Sequence, residues 1–418
     1  MITMYEELRS ERKGIRMTNL VDVRTSPVDG RMPTAPRPDR QQVLEIARSL
    51  VPGIRARVDE CERLRRLPDA TVEELRASGL LRVATLERFG GFGLGLDTGL
   101  AVATELGRGC SSTAWVLAQY LVHNWGASRF DAATQAEYFA GTVDVTCATA
   151  KAMITSTLVE QDDGFVLSGR WKFSSGIDHA DWLWITRVAG DSTDGALVPR
   201  GDFEIVDDWH TLGLKGTGSK EVLLANAFVP RHRILSVAHQ RSIAEPGSAL
   251  YDEDPTHRLP GHVWGYWTGS CLLGTAWAAL ERFETSLVGR RSSVSGRMTT
   301  ENPLTQVALA ESSAEIQCAS LLFEHDMTRM RAAAEAGDVV GYESVCEVGR
   351  NAAYSYRLLL TSGRRLLDHF GSSVVYDGNP VGRLVGDLIA GTRHAVFGWE
   401  DNAEQYGRMR WGMGPLAG

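Results

Sequence analysis

No two of the six cysteines (Cys61, Cys110, Cys147, Cys271, Cys318 and Cys346) stand in a CxxC spacing, and no secretory leader precedes them. They therefore read as reduced thiols in a cytoplasmic protein, most of them buried as small apolar residues. None of the ten histidines falls in an HExxH or Cys/His finger pattern, so nothing supports a metal site. No apolar run approaches the ~18 residues needed to span a bilayer. Positive charge is not in excess either: a formal charge of -8 and a pI of about 5.8 give no basic footprint for nucleic acid or an anionic membrane. No GxGxxG follows a strand and opens a helix, so the chain has no Rossmann pocket for NAD(P)H. Gly213-Leu-Lys-Gly-Thr-Gly-Ser-Lys220 is glycine-rich, but serine precedes its lysine, the reverse of a P-loop. A small-molecule partner remains.

The 418 residues, 43% apolar and 23% charged, have room for two or three domains and a large core. Residues 1–40 are rich in charge, Pro, Ser and Thr without apolar periodicity and read as a mobile arm. From Gln41 to about Arg66, Val43, Leu44, Ala47, Leu50, Val51 and Ile54 recur at helical spacing, with a kink or split expected at Pro52. Thr71-Val-Glu-Glu74 has the form of a capping box opening a helix to Gly79. Leu100 to Leu121 reads as one helix, apolar on more than one face. Near Val143 the period changes to two, with turns at Asp163-Gly164, Gly190-Asp191 and Pro199-Arg-Gly201. Past a polar loop at about 240–262, helical periodicity returns at 263–290, 303–336, 342–369 and about 381–405. The expected fold class is α+β: a helical domain over 41–142, a β-domain over 143–240 and a helical bundle over 241–418.

Local sequences in that order carry a family likeness. Leu67-Pro68, Gly79-Leu-Leu81, Phe89-Gly-Gly-Phe-Gly93 and Glu105-Leu-Gly-Arg108 resemble the N-terminal signature of the acyl-CoA dehydrogenase superfamily. Gly164-Phe-Val-Leu-Ser-Gly-Arg-Trp-Lys-Phe-Ser-Ser-Gly176, Leu212-Gly-Leu-Lys-Gly-Thr-Gly-Ser219 and Phe228-Val-Pro230 resemble its flavin-binding strands. Gly371, Asn379-Pro380, Arg383 and Asp387 resemble its C-terminal stretch. The likeness covers roughly residues 40 to 410 and implies an acyl-CoA dehydrogenase-like fold: a helical domain, a β-barrel-like domain and a four-helix bundle, assembled as a homotetramer.

Two departures point to one branch. Cys147-Ala-Thr-Ala-Lys-Ala-Met153 stands where dehydrogenases carry an acid-rich Thr-Glu-Pro element, and Arg393-His394-Ala395 stands where many carry Tyr-Glu-Gly-Thr with the catalytic glutamate. Together with Trp171-Lys-Phe-Ser-Ser-Gly-Ile-Asp-His-Ala-Asp-Trp182, these are similar to the two-component flavin monooxygenases that hydroxylate phenols, indoles and related rings. That resemblance implies reduced FAD or FMN delivered by a separate NAD(P)H:flavin reductase, O2 as co-substrate, a small aromatic substrate and no metal.

Reduced flavin adds O2 at its C4a carbon, and the adduct must be kept protonated and dry. Ser174 and Ser175 are the candidate hydroxyls beside the flavin, or else turn serines satisfying their own backbone. His394 and His123 are the candidate acid–base groups for a phenol or indole proton and for the flavin–oxygen adduct; buried histidines of the core are the alternative. Thr149 could meet the flavin or be an ordinary strand threonine. Trp171 and Phe173 could wall the flavin ring or belong to the core. Arg290 or Arg291 lies where relatives use an arginine on the cofactor phosphate, often across a subunit boundary; a surface ion pair is the alternative. Rival readings are an acyl-CoA dehydrogenase using Glu281 or Glu284, an N- or S-oxygenase, and a flavin-free scaffold.

Overall fold

The computed structural model describes residues 37–185, 195–235, 253–259, 261–292 and 295–415. All but the last four residues of the expected 1–40 arm, the turn at Gly190-Asp191 and most of the 240–262 loop lie outside the described residues. Helices come first, then strands, then helices, in the order the apolar periods require.

The first helices are α1 (Arg40–Ala56), α2 (Val58–Leu64), α3 (Asp69–Ala77), α4 (Leu96–Gly107), α5 (Ser111–Ala127) and α6 (Ala132–Phe139). A capping box is present, but on α1: Asp39 accepts from the Gln42 amide and Gln42 accepts from the Asp39 amide, each at 2.8 Å. The expected box at Thr71 and Glu74 does not form. Both side chains are taken by Arg57, whose Nε donates to Thr71 Oγ1 at 2.9 Å and whose guanidinium pairs with Glu74. Pro68 starts α3 earlier, its φ of -59° already suited to a helix. Pro52 sits inside α1, and the split falls at Arg57 instead.

The single helix expected over Leu100–Leu121 is two helices, broken between Gly107 and Ser111. A Cβ at Gly107 would lie 2.2 Å from the Cys271 carbonyl oxygen, and one at Gly274 would lie 1.9 Å from that of Thr104. Two backbones thus cross in contact there, and the break lets α4 cross while α5 turns away into the interior. Every residue of α5 is buried.

The strands are β1 (Cys147–Ala150), β2 (Ala152–Gln161), β3 (Gly164–Ser174), β4 (Trp182–Ile185), β5 (Gly195–Pro199), β6 (Glu204–Val206), β7 (Lys220–Pro230) and β8 (Ile234–Leu235). They form two four-stranded sheets, ordered β1-β4-β5-β8 and β2-β3-β7-β6, with β1 parallel to β4 and the other pairings antiparallel. Leu167, Trp171, Leu183, Val198, Val222 and Leu224 belong to one apolar cluster shared by both sheets.

The last helices are α7 (Cys271–Leu287), α8 (Pro303–Ala336), α9 (Tyr342–Phe370), α10 (Pro380–Gly391) and α11 (Trp399–Arg410). Helices α7 to α10 pack as a four-helix bundle around Phe283, Ile316, Ala319, Leu359, Leu366 and Val385. The stretch expected as one helix over about 381–405 is divided by a turn that carries His394. Among the described residues no helix is long and apolar enough to cross a membrane.

Candidate active site

Helix α5 aligns the site because its polar side chains bind the backbone of the β-region along their length. Tyr120 OH donates to the Gly176 carbonyl at 2.6 Å, and Asn124 Nδ2 donates to the Val145 carbonyl at 3.0 Å. His123, expected just beyond a helix, lies inside α5, with Nδ1 2.6 Å from the Cys147 carbonyl. A carbonyl only accepts, so the ring proton is on Nδ1 and Nε2 carries the free lone pair. Burial, with a smaller effect of the Lys151 charge, pushes the imidazole down to about 4, while the Cys147 carbonyl acts the other way. His123 is therefore neutral at pH 7 and able to accept a proton at Nε2.

Trp115, two turns earlier on α5, donates from Nε1 to Ser175 Oγ at 3.2 Å. Ser175 Oγ is 2.7 Å from Ser219 Oγ, Ser219 Oγ is 2.7 Å from Thr217 Oγ1, and Thr217 Oγ1 donates to the Leu214 carbonyl at 2.8 Å. The glycine-rich 213–220 segment thus contributes a chain of hydroxyls ending on its own backbone. Asp387 of α10 holds the same segment, accepting from the Leu214 amide at 2.6 Å; complete burial pushes its carboxyl up to about 6. Ser174 is different: it is 0% exposed and its Oγ has no hydrogen-bond partner.

His394 follows α10 and reaches the same place from the other side. Its ring centroid is 5.9 Å from that of Trp115 and 5.0 Å from that of Phe397, and its Nδ1 is buried without a partner. Burial, then the charge of Lys151, holds this imidazole down at about 4. Trp115 consequently links the two halves of the site, donating to Ser175 while packing near His394.

The other expected residues separate. Thr149 is buried and donates to the Trp184 carbonyl at 2.9 Å, which engages its hydroxyl hydrogen and leaves its oxygen lone pairs. Trp171 is 0% exposed in the core shared by the sheets, so the expectation that it walls the flavin is corrected: a register shift between Trp171 and Ser174 turns the two ends of β3 to different surroundings. Phe173 sits in that irregularity with φ 66°, 60% exposed and edge-on to Trp209 at 6.2 Å. Arg290 donates to the Phe370 carbonyl at 2.8 Å and Arg291 to the Gly296 carbonyl at 3.0 Å. Both line a recess of ≈ 600 Å³ with Ser292, Arg297 and Asn302, and this recess has no lining residue in common with the histidine site. Glu281 and Glu284 are on the exposed face of α7, Glu281 beside Arg55 at 3.6 Å.

Trp115, Thr217, Ser219 and Lys151 were not marked by the sequence. Lys151 follows β1 directly and its side chain is exposed, while the protein around its base lowers its pKa. Its Nζ is 5.5 Å from the Trp267 ring centroid. The only signal was a lysine in the stretch that replaces the acid-rich element.

The acyl-CoA dehydrogenase N-terminal domain profile matches residues 38–138 and the C-terminal domain profile matches residues 266–399, between them more than half of the chain. The chain belongs to the acyl-CoA dehydrogenase family. Within that family it is similar to the oxygenase subunit HsaA of a flavin-dependent monooxygenase from Rhodococcus jostii, 28% identical over 87% of this chain and 97% of that one. The oxygenase component of an FADH2-dependent resorcinol hydroxylase from a Rhizobium species is 28% identical over 86% of this chain and 92% of its own. A solved structure of XiaF from Streptomyces with FADH2 and glycerol superposes with a TM-score of 0.82 at 27% identity, covering 91% of this chain and 97% of that one.

The residues present fit a reduced flavin. At this place the Ser174 hydroxyl and the His394 Nδ1 nitrogen are buried without a hydrogen-bond partner, and Trp115, bonded to Ser175, packs near His394. Buried polar atoms are seldom left unpaired unless something else pairs them. Among the described residues no group of three His, Cys, Asp or Glu side chains could hold a metal ion.

Proposed function

We propose that this chain is the oxygenase component of a two-component flavin-dependent monooxygenase, which takes reduced FAD or FMN from a separate NAD(P)H:flavin reductase and hydroxylates a small aromatic molecule with O2. The observation that carries the reading is His394: a neutral imidazole with an unpaired nitrogen stands where a dehydrogenase of the Tyr-Glu-Gly-Thr type has its base. Glu281 and Glu284, the carboxylates that could have substituted, face solvent.

When bound, the reduced flavin supplies the two electrons with which one oxygen atom of O2 enters the ring and the other leaves as water. Ser174 Oγ supplies a hydrogen bond to the flavin, and Ser175 is held in place by Trp115 and Ser219 so that its backbone keeps that position. His394 Nδ1 holds a proton beside the reacting oxygen, while the aromatic surfaces of Trp115 and Phe397 keep water away. His123 Nε2 accepts the phenolic or indole proton, its ring fixed by the Cys147 carbonyl. Thr149 and Phe173 complete the flavin contacts. Arg290 and Arg291 bind the cofactor phosphate of a neighbouring subunit in a homotetramer, and the enzyme works in the cytoplasm.

Adding reduced FMN or FAD to the flavin-free protein and then O2 tests this reading. Flavin reoxidation slower than that of free flavin, with an oxygenated product from a phenol or indole panel, is expected. Reoxidation at the free rate with no product rejects it, as does a yellow protein that bleaches with an acyl-CoA under anaerobic conditions.

A further inference from the structure

We infer that Gln119 is the specificity residue of this site, its carboxamide pairing with a second, neutral hydroxyl of the aromatic substrate beside the one whose proton His123 takes. The inference rests on the monooxygenase reading and adds to it a polar group that the substrate must carry. Its basis is a row on α5. Trp115, Gln119 and His123 are spaced four residues apart, so they stand one above another on one face of the helix, over about 12 Å. Both ends of the row are placed. Trp115 donates to Ser175 and packs near His394, and His123 bonds the Cys147 carbonyl with its ring centroid 5.8 Å from that of Trp184. Gln119 lies between them, about 6 Å along the axis from each.

That face is the open one. Trp115, Gln119, Val122 and His123 keep 4–7% of their surface accessible, whereas Ala114, Val116, Leu117, Ala118 and Leu121 keep none. On the side of the strands, Thr149 of β1 and its register partner Trp184 of β4 keep 6% and 8%, and Ser175 keeps 6%. A narrow recess thus runs between α5 and the β-region, from Ser175 to Trp184, with Gln119 in its wall. The Gln119 carboxamide is buried and has no hydrogen-bond partner among the described residues. By contrast Gln135 of α6, also buried, donates from Nε2 to the Ser128 and Phe130 carbonyls at 2.7 and 2.6 Å. An unpaired amide inside a protein carries a desolvation cost that a ligand pairing with it relieves. A carboxamide donates and accepts at once without charge, and so does a neutral hydroxyl. The two polar groups of the substrate then stand about one helical turn apart, on opposite sides of its ring system. A site built to bond a hydroxyl rejects the analogue that lacks it, because the carboxamide is left unpaired.

Calorimetric titration of the full-length flavin-free protein tests the contact with two pairs of probes that exchange a hydroxyl for a methyl group. The first is 4-hydroxybenzyl alcohol against 4-ethylphenol, on one ring; the second is 2,6-dihydroxynaphthalene against 6-methyl-2-naphthol, across two. Wild type is expected to prefer the two-hydroxyl member of at least one pair by about fivefold or more, and the pair that shows it gives the spacing. Gln119→Met, of similar length and with nothing to pair with the hydroxyl, should reverse the ratio in favour of the methyl member. Wild type that binds the members of both pairs equally, favours the methyl members or binds none of the four overturns the proposal. So does a Gln119→Met protein that keeps the preference, or one that loses affinity for reduced FMN or FAD and not for the probes. Should Gln119→Met fail to fold, Gln119→Leu replaces it, and wild type alone already decides whether the second hydroxyl is preferred. Slowed flavin reoxidation without the hydroxyl preference sinks the Gln119 contact alone; the preference with reoxidation at the free rate and no oxygenated product sinks the monooxygenase reading alone.

Discussion

The hydroxyls of Ser175, Ser219 and Thr217 satisfy one another and end on the Leu214 carbonyl, whereas Ser174 Oγ, one residue away, and His394 Nδ1 are buried with no partner. The difference separates frame from function. A buried polar atom with a partner contributes modestly, and one without a partner carries its desolvation cost unless a ligand relieves it. The first set should therefore matter to folding and the second to binding and chemistry.

Substitution of His394 by Ala strikes hardest at the second set. Product formed per flavin oxidised should fall about 10²-fold while reduced flavin still binds, measured as O2 consumed against product; unchanged coupling would return His394 to a core role. A second large effect is pH-linked. Folding lowers the His123 pKa from its ordinary value of 6.5 to about 4, so the unfolded chain binds the extra proton between those values. Its contribution is intact above 6.5 and is lost as pH falls toward 4, by roughly 3 kcal/mol. Asp387 acts in the opposite sense: raised from 3.8 to about 6, it favours the fold at low pH and loses that advantage as pH rises through about 6. Comparing His123→Gln with wild type by urea unfolding cancels the Asp387 effect, and the variant should show the flatter profile.

Within the serines the contrast is direct. Ser219→Ala removes the central hydroxyl of the chain and should cost about 1–3 kcal/mol in urea unfolding. Ser174→Ala should leave stability within about 0.5 kcal/mol and weaken reduced-flavin binding about tenfold. If both lose stability equally, the separation of frame from function fails. The smallest effect belongs to Trp115→Phe, which keeps the packing on His394 but drops the bond to Ser175, at about 1 kcal/mol.

Long periodic segments were legible: the helices expected over 303–336 and 342–369 are observed at Pro303–Ala336 and Tyr342–Phe370. What failed was decided by partners distant in sequence. Nothing local shows that Arg57 takes Thr71 and Glu74, or that Gly107 must let the backbone of α7 pass. In the site, motif order marked Ser174, Ser175, His123 and His394, residues that the structure sets around α5. Trp115 stayed hidden because α5 is buried all round and no periodicity distinguishes one buried indole from another. Of the two places open to Trp171 the core is the one observed, because it lies before the irregularity that precedes Ser174 on β3.

Helix α5 grips the β-region at Ser175, Gly176, Cys147 and Val145 through Trp115, Tyr120, His123 and Asn124. A rod fastened at four points neither slides nor rolls. His123 and β1 then travel together, so the proton acceptor is a fixed mark against the strands, and a substrate is measured against it rather than the site being shaped to the substrate.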